Sequence, residues 1–228
     1  MKKIVLCVLT AATLLMTSAC TTMSTTGKGT LIGTGGGAAL GAALGALIGH
    51  DGKGAAIGAA IGTAVGAGTG AAIGKVMQNK QEKLARELAE QAAVETITDA
   101  NGLTAIKITF DADMTFPKNS STLNANAKAA VQKFASNITT ADLVNTEIRI
   151  KGHTDSSGGD KINQPLSEKR AKAVGDILRA NGVAANRVSE LGMASSEPIT
   201  GNAADAANRR VEVYVLATEA MVQQYSQQ

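Results

Sequence analysis

The sequence has no tryptophan, and its 228 residues hold only five aromatic rings: Phe110, Phe116, Phe134, Tyr214 and Tyr225. A chain this poor in rings offers no stacking platform for single-stranded nucleic acid. Its two cysteines, Cys7 and Cys20, both fall in the first twenty residues. From Thr21 onward no thiol remains, which excludes a disulfide framework, a cysteine nucleophile and a cysteine metal site there. His153 is the only histidine of the C-terminal half, so a histidine metal cluster is excluded as well. No metal and no cofactor is expected. The glycine-rich stretches lack the Lys and Ser/Thr of a phosphate loop, and no G-x-S-x-G nucleophile elbow occurs. Asp155–Asp160 fails as a calcium loop because its twelfth position is Leu166. No enzymatic activity is predicted. Charge of either sign is also missing as a bias: without Lys2 and Lys3, 20 basic side chains face 19 acidic ones. That is no footprint for DNA or RNA.

What is present begins with a leader. Lys2 and Lys3 precede a 13-residue apolar run, Ile4 to Met16, and Thr17-Ser18-Ala19 follow. This is the layout of a secretory signal peptide, too short to span a bilayer. The small residues run directly into Cys20, and Ser18-Ala19-Cys20 resembles the lipobox of bacterial lipoproteins. The resemblance implies cleavage after residue 19, acylation of Cys20 (palmitate among the chains) and, with Thr21 following, an outer-membrane address. Residues 1–19 are thus read as signal peptide and 20–30 as a polar tether.

Next comes a repeat. Gly33, Gly37, Gly41, Gly45 and Gly49 recur every four residues, and after His50-Asp51-Gly52-Lys53 so do Gly54, Gly58, Gly62, Gly66, Gly70 and Gly74. A period of four puts these glycines on one helix face. Each costs about 1 kcal/mol relative to Ala in a solvated helix, a cost that close backbone approach offsets in small-xxx-small packing. Residues 31–74 are therefore read as a glycine-zipper helical hairpin, similar to segments of some outer-membrane lipoproteins. Membrane insertion, a tightly packed soluble hairpin and a homo-oligomerisation element all satisfy the pattern. Residues 75–93 turn charged, with Glu82–Arg86 and Lys83–Glu87 at i,i+4, and are expected to form a solvated helical stalk.

From residue 94 the pattern is globular. Val94–Thr98 and Leu103–Phe110 flank Asn101-Gly102, a hairpin signal. Leu123, Ala127, Val131, Phe134 and Ile138 form a helical stripe. Ile148 and Ile150 alternate with charges in a strand running into Gly152-His153-Thr154-Asp155. A helix is expected from Leu166 to Ala180, then short strands at Val188–Leu191 and Val211–Val215. Such alternation predicts a two-layer α/β sandwich over 94–219, with 220–228 as a C-terminal tail.

One residue breaks the second helix's pattern. Arg170 falls on the apolar face with Leu166, Val174, Ile177 and Leu178, where an unpaired charge is costly. Asp155 is its expected partner. Two meanings fit: a buried ion pair that only orders the Ser156–Gly159 loop, or a ligand grip. Here the sequence resembles the OmpA-like peptidoglycan-binding family, through Gly152-His153-Thr154-Asp155, Asn163, Leu166, Ser167, Arg170, Ala171 and Asn208-Arg209-Arg210-Val211-Glu212. The resemblance implies a βαβαβ domain in which Asp155 and Arg170 bind the diaminopimelate of the peptidoglycan stem peptide. Asn119, Asn163 and Leu166 would border the pocket, with Phe116 in the same loop as Asn119, and Thr154, Arg209 and Arg210 would support it. It further implies an outer-membrane lipoprotein with its C-terminal domain in the periplasm, linking membrane lipid to the wall. The alternative is an oligomeric envelope-assembly component whose zipper self-associates and whose wall binding is only an anchor.

Overall fold

Branched aliphatic residues at every second position define the sheet. Ile106, Ile108 and Phe110, then Ile148 and Ile150, then Val211, Val213 and Val215 share one face and are all but fully buried. The computed structural model describes residues 67–117 and 120–227. Cys20, Asn119 and residues 31–66 of the glycine ladders lie outside that range. The strands are β1 (Ala93–Thr98), β2 (Thr104–Asp111), β3 (Thr146–His153), β4 (Val188–Gly192) and β5 (Arg210–Ala217), in the order β1-β2-β5-β3-β4. Only β3 and β4 pair in parallel, and a parallel pair needs a long crossover. The helices are α1 (Ala67–Glu87), α2 (Ala112–Thr115), α3 (Ala125–Ile138), α4 (Asp160–Ala180) and α5 (Glu219–Ser226), and α4 supplies that crossover.

Val131, Phe134 and Ile138 of α3 and Val174 and Leu178 of α4 join the strand aliphatics in one core cluster. The expected two-layer α/β sandwich is the architecture found. The hairpin forms as well, with Thr98 opposite Thr104. Its five-residue loop is pinned by Asp99, whose carboxylate accepts from the Asn101 and Leu103 amides at 2.8 and 2.9 Å, while Gly102 takes φ 76°.

Three segments differ from the sequence reading. Helix α4 begins at Asp160, six residues before Leu166, with Pro165 inside it; the proline removes only one hydrogen bond near the N-terminus. The segment read as a tail is mostly α5, capped by Thr218 and burying Met221 and Val222. The charged stretch after the ladders is no free stalk: α1 lies against the β1–β2 hairpin, with Ile73, Met77, Leu84 and the following Leu88 fully buried. These four residues fall on one stripe, which the charges between them obscured. Gln81 donates to Val94 O at 2.8 Å, and Asn137 of α3 donates to Glu87 at 2.8 Å. Among the described residues, no helix is long and apolar enough to cross a membrane.

Leu84 separates these two roles for α1. Leu84→Ala is expected to lower stability by about 2–5 kcal/mol, as for a core leucine, measured by urea denaturation. A solvated stalk would lose almost nothing.

Candidate functional site

Helix α4 lies unusually close to the ends of β3 and β4. A Cβ built on Gly152 would stand 2.2 Å from Ser167 O, and one on Gly192 would stand 2.4 Å from the Glu168 side chain. Only glycine permits this approach. It sets the loop after β3 against the first turns of α4, where Asn163 Nδ2 donates to Asp155 O at 2.8 Å.

Asp155 is 7% exposed. Its Oδ1 accepts from the Ser157 amide at 3.0 Å and from the Ser157 hydroxyl, and its Oδ2 accepts from Arg209 Nη1 at 2.7 Å. Burial alone would raise the carboxyl's pKa, but the hydrogen bonds from Ser157 and Arg209 outweigh it, and the net displacement is downward. Asp155 is therefore a carboxylate at neutral pH.

Arg170 is 4% exposed, as its place on the apolar face of α4 predicts. Its Nε donates to Ser120 O at 3.1 Å and its guanidinium lies 5.2 Å from the centroid of Phe116. The ion pair expected between Asp155 and Arg170 is replaced by Asp155–Arg209. The register explains the exchange: Arg210 stands opposite His153, so Arg209 sits just past the strand end, beside the Asp155 loop. Arg170 instead reaches the segment after α2.

The two arginines before and at the start of β5 part company, because successive strand residues face opposite ways. Arg209 turns to Asp155. Arg210 turns to the other face and donates to Glu212 at 2.8 Å and to Glu197 O at 3.1 Å. Glu212, 3% exposed, also accepts from Tyr214 at 2.6 Å and lies 3.3 Å from both Lys107 Nζ and His153 Nε2. Burial opposes ionisation there, yet His153, Tyr214 and Arg210 hold its pKa far below the ordinary range. His153, Glu197 and Glu212 offer ligand atoms within 4.8 Å of one another. Arg210, Lys107 and Lys151 already contact those carboxylates, which opposes a metal cation.

Of the residues read as site-forming, Asp155, Asn163, Thr154 and Arg209 gather around the loop after β3. Arg170 faces Phe116 and Ser120, Leu166 is half-buried on the same helix, and Arg210 belongs to the opposite face. Ser157 and Ser120 were not foreseen. The Asp-x-Ser spacing of 155–157 is an Asx-turn signal that could have revealed Ser157; nothing in the sequence marks Ser120 O.

One strained residue braces the loop. Ala194 has φ 46° and is held on both sides: Ala194 N donates to Ser167 Oγ at 3.1 Å and Ala194 O accepts from Thr154 N at 2.8 Å.

Residues 115–212 match the OmpA family model, and residues 1–78 match the YMGG-like Gly-zipper model. The chain carries an OmpA family domain. The match runs from the last residue of α2 into β5, so α1, β1, β2 and α5 lie outside the matched residues. Outer membrane protein A of Escherichia coli O157:H7 is 34% identical over 128 residues, covering 51% of this chain and 37% of that protein. Outer membrane protein A of Klebsiella aerogenes is 36% identical over 103 residues, covering 45% and 29%. The chain thus spans well under half the length of these relatives. Among solved structures, a putative MotB like protein from Desulfovibrio vulgaris superposes with a TM-score of 0.52 at 18% identity, over 64% of this chain and 94% of the other, a likeness of fold.

Two outcomes follow. Ala194→Gly is expected to hold or raise the melting temperature, because a non-glycine residue pays about 1–2 kcal/mol in the left-handed region; at an ordinary position the same change destabilises. Glu212, whose folded pKa lies below its unfolded value of ~4.3, stabilises the fold above that pH, and this contribution is lost as pH falls. Glu212→Gln should therefore narrow the stability difference between about pH 7 and pH 4 in denaturant titrations. The comparison with wild type is the readout, since Asp99, raised by burial, acts in the opposite sense.

Proposed function

We propose that this protein is a noncovalent link between outer membrane and cell wall, in which the OmpA family domain binds peptidoglycan and the N-terminal part holds the membrane. The observation that carries the reading is the pair of opposite charges the fold keeps at one end of the sheet: an ionised, nearly buried Asp155 and a buried Arg170. Diaminopimelate carries an ammonium beside a carboxylate at its free end. Asp155 accepts from the ammonium, and a guanidinium holds the carboxylate with two parallel hydrogen bonds. Asn163 fixes the Asp155 backbone and Leu166 lies half-buried on the same helix; Asn119, assigned to the site by the family resemblance, lies outside the described residues. No proton transfer is asked of any of these groups; the site binds and does not react.

The membrane end rests on Cys20 and the Gly-zipper match. Acylation adds roughly 0.8 kcal/mol for each CH₂ buried in lipid, and one chain alone gives only marginal attachment. The glycine-zipper segment supplies the second contact with the membrane, or with another copy of the chain. The C-terminal domain then lies in the periplasm.

Cosedimentation with purified peptidoglycan tests the site. Asp155→Asn keeps the size and removes the charge; Arg170→Gln removes the cation that faces Phe116 and Ser120. Each should weaken binding by about 2–5 kcal/mol, roughly 30-fold to several thousand-fold, while the melt shows a folded protein. A folded Asp155→Asn variant that sediments at wild-type affinity sinks the assignment.

A further inference from the structure

The carboxylate that is to receive the ligand's ammonium already has an ion-pair partner. Three donors, Ser157 N, Ser157 Oγ and Arg209 Nη1, occupy Asp155, and a carboxylate offers about four acceptor positions. The side chain of Asp155 is 10% exposed and that of Arg209 29%. The guanidinium is thus the more exposed member of the pair, and an ammonium seated on Asp155 lies beside it.

We propose that Arg209 is the specificity-determining residue of the site, restricting Asp155 to ligands that bring a carboxylate beside their ammonium. An ammonium alone arrives next to a guanidinium, on a carboxylate whose charge is already shared. Like charges at that range repel. A carboxylate on the same carbon replaces the repulsion with a guanidinium–carboxylate contact. The discrimination comes from a repulsive element aimed at the wrong ligand as much as from attraction to the right one. The inference rests on the wall-binding reading and narrows it: the recognised group is a zwitterionic amino-acid end rather than any amine of the wall.

Arg209 differs in this from Arg170. Arg170 is buried against Phe116 and Ser120, and its loss removes affinity. Arg209 acts on the choice between ligands, so its loss should be visible as a ratio.

Two probes read that ratio on the full chain: diaminopimelate acylated on one amino group, and lysine acylated on its α-amino group. Both present a free ammonium, but only the first has a carboxylate on the same carbon. Calorimetric titration of the wild type should show a preference for the first probe. In Arg209→Gln the preference should shrink by about tenfold or more, with the lysine probe bound at least as tightly as by the wild type. Arg209→Lys keeps the charge but not the two-pronged contact, so its preference should fall between those of wild type and Arg209→Gln. If Arg209→Gln does not fold, Arg209→His is measured at pH 5 and pH 8 beside the wild type; its preference should be high when the imidazole is charged and collapse when it is neutral. An Arg209→Gln protein that keeps the wild-type ratio, or weakens both probes equally, overturns the inference and leaves the wall-binding reading standing, as does an Arg209→His ratio that follows the wild type at both pH values. A wild-type protein that binds neither probe nor peptidoglycan overturns both.

Discussion

The contact between α4 and the ends of β3 and β4 is the constraint on which the site depends. With Gly152 against Ser167 and Gly192 against Glu168, the helix sits at backbone distance from the sheet. Ser167 uses that proximity to hold Ala194, and Ala194 in turn holds Thr154. Asn163, one turn earlier on the same helix, holds the Asp155 carbonyl. A side chain at either glycine would lift α4 and loosen all of these bonds together. The positioning of Asp155 is thus a property of packing before it is a property of charge.

Charge is then distributed on two sides of the same sheet. Glu212 and Arg210 lie in a dense network on the face away from the helices, with Lys107, Tyr214 and His153 around them. Asp155 and Arg209 lie at the strand end. The adjacent arginines belong to different assemblies, and each holds an acid ionised in a place where burial would favour the neutral form. The first assembly ties β5 to β3 and β2; the second leaves its cation at the solvent boundary.

Much of this was legible in the sequence, for reasons specific to each element. Val211, Val213 and Val215 alternate because one face of β5 is buried, so the strand could be read at period two. Arg170 stood out because a charge on an apolar stripe has few physical explanations. The ion-pair partner of Asp155 was not legible, since it depends on the β3–β5 register, and no local pattern encodes which of two neighbouring arginines faces the strand end. Helix α1 was misread for a different reason. Ile73, Met77 and Leu84, with Leu88 just after the helix, are spaced by Glu82, Lys83 and other charges that reach solvent, and a stripe covering so narrow an arc looks like a solvated helix. Helix α5 is eight residues long, below the length at which periodicity separates helix from coil.

The seating of α1 on the β1–β2 hairpin bears on how the domain carries mechanical load. In a chain restrained at its N-terminal side and gripping through Asp155, tension enters at α1 and leaves at the end of β3. Between those points lie the β2–β5 and β5–β3 ladders, each eight or fewer residue pairs long and antiparallel. The force therefore passes through the centre of the sheet and through the aliphatic core beneath it, and the edge strand β4 lies outside its path.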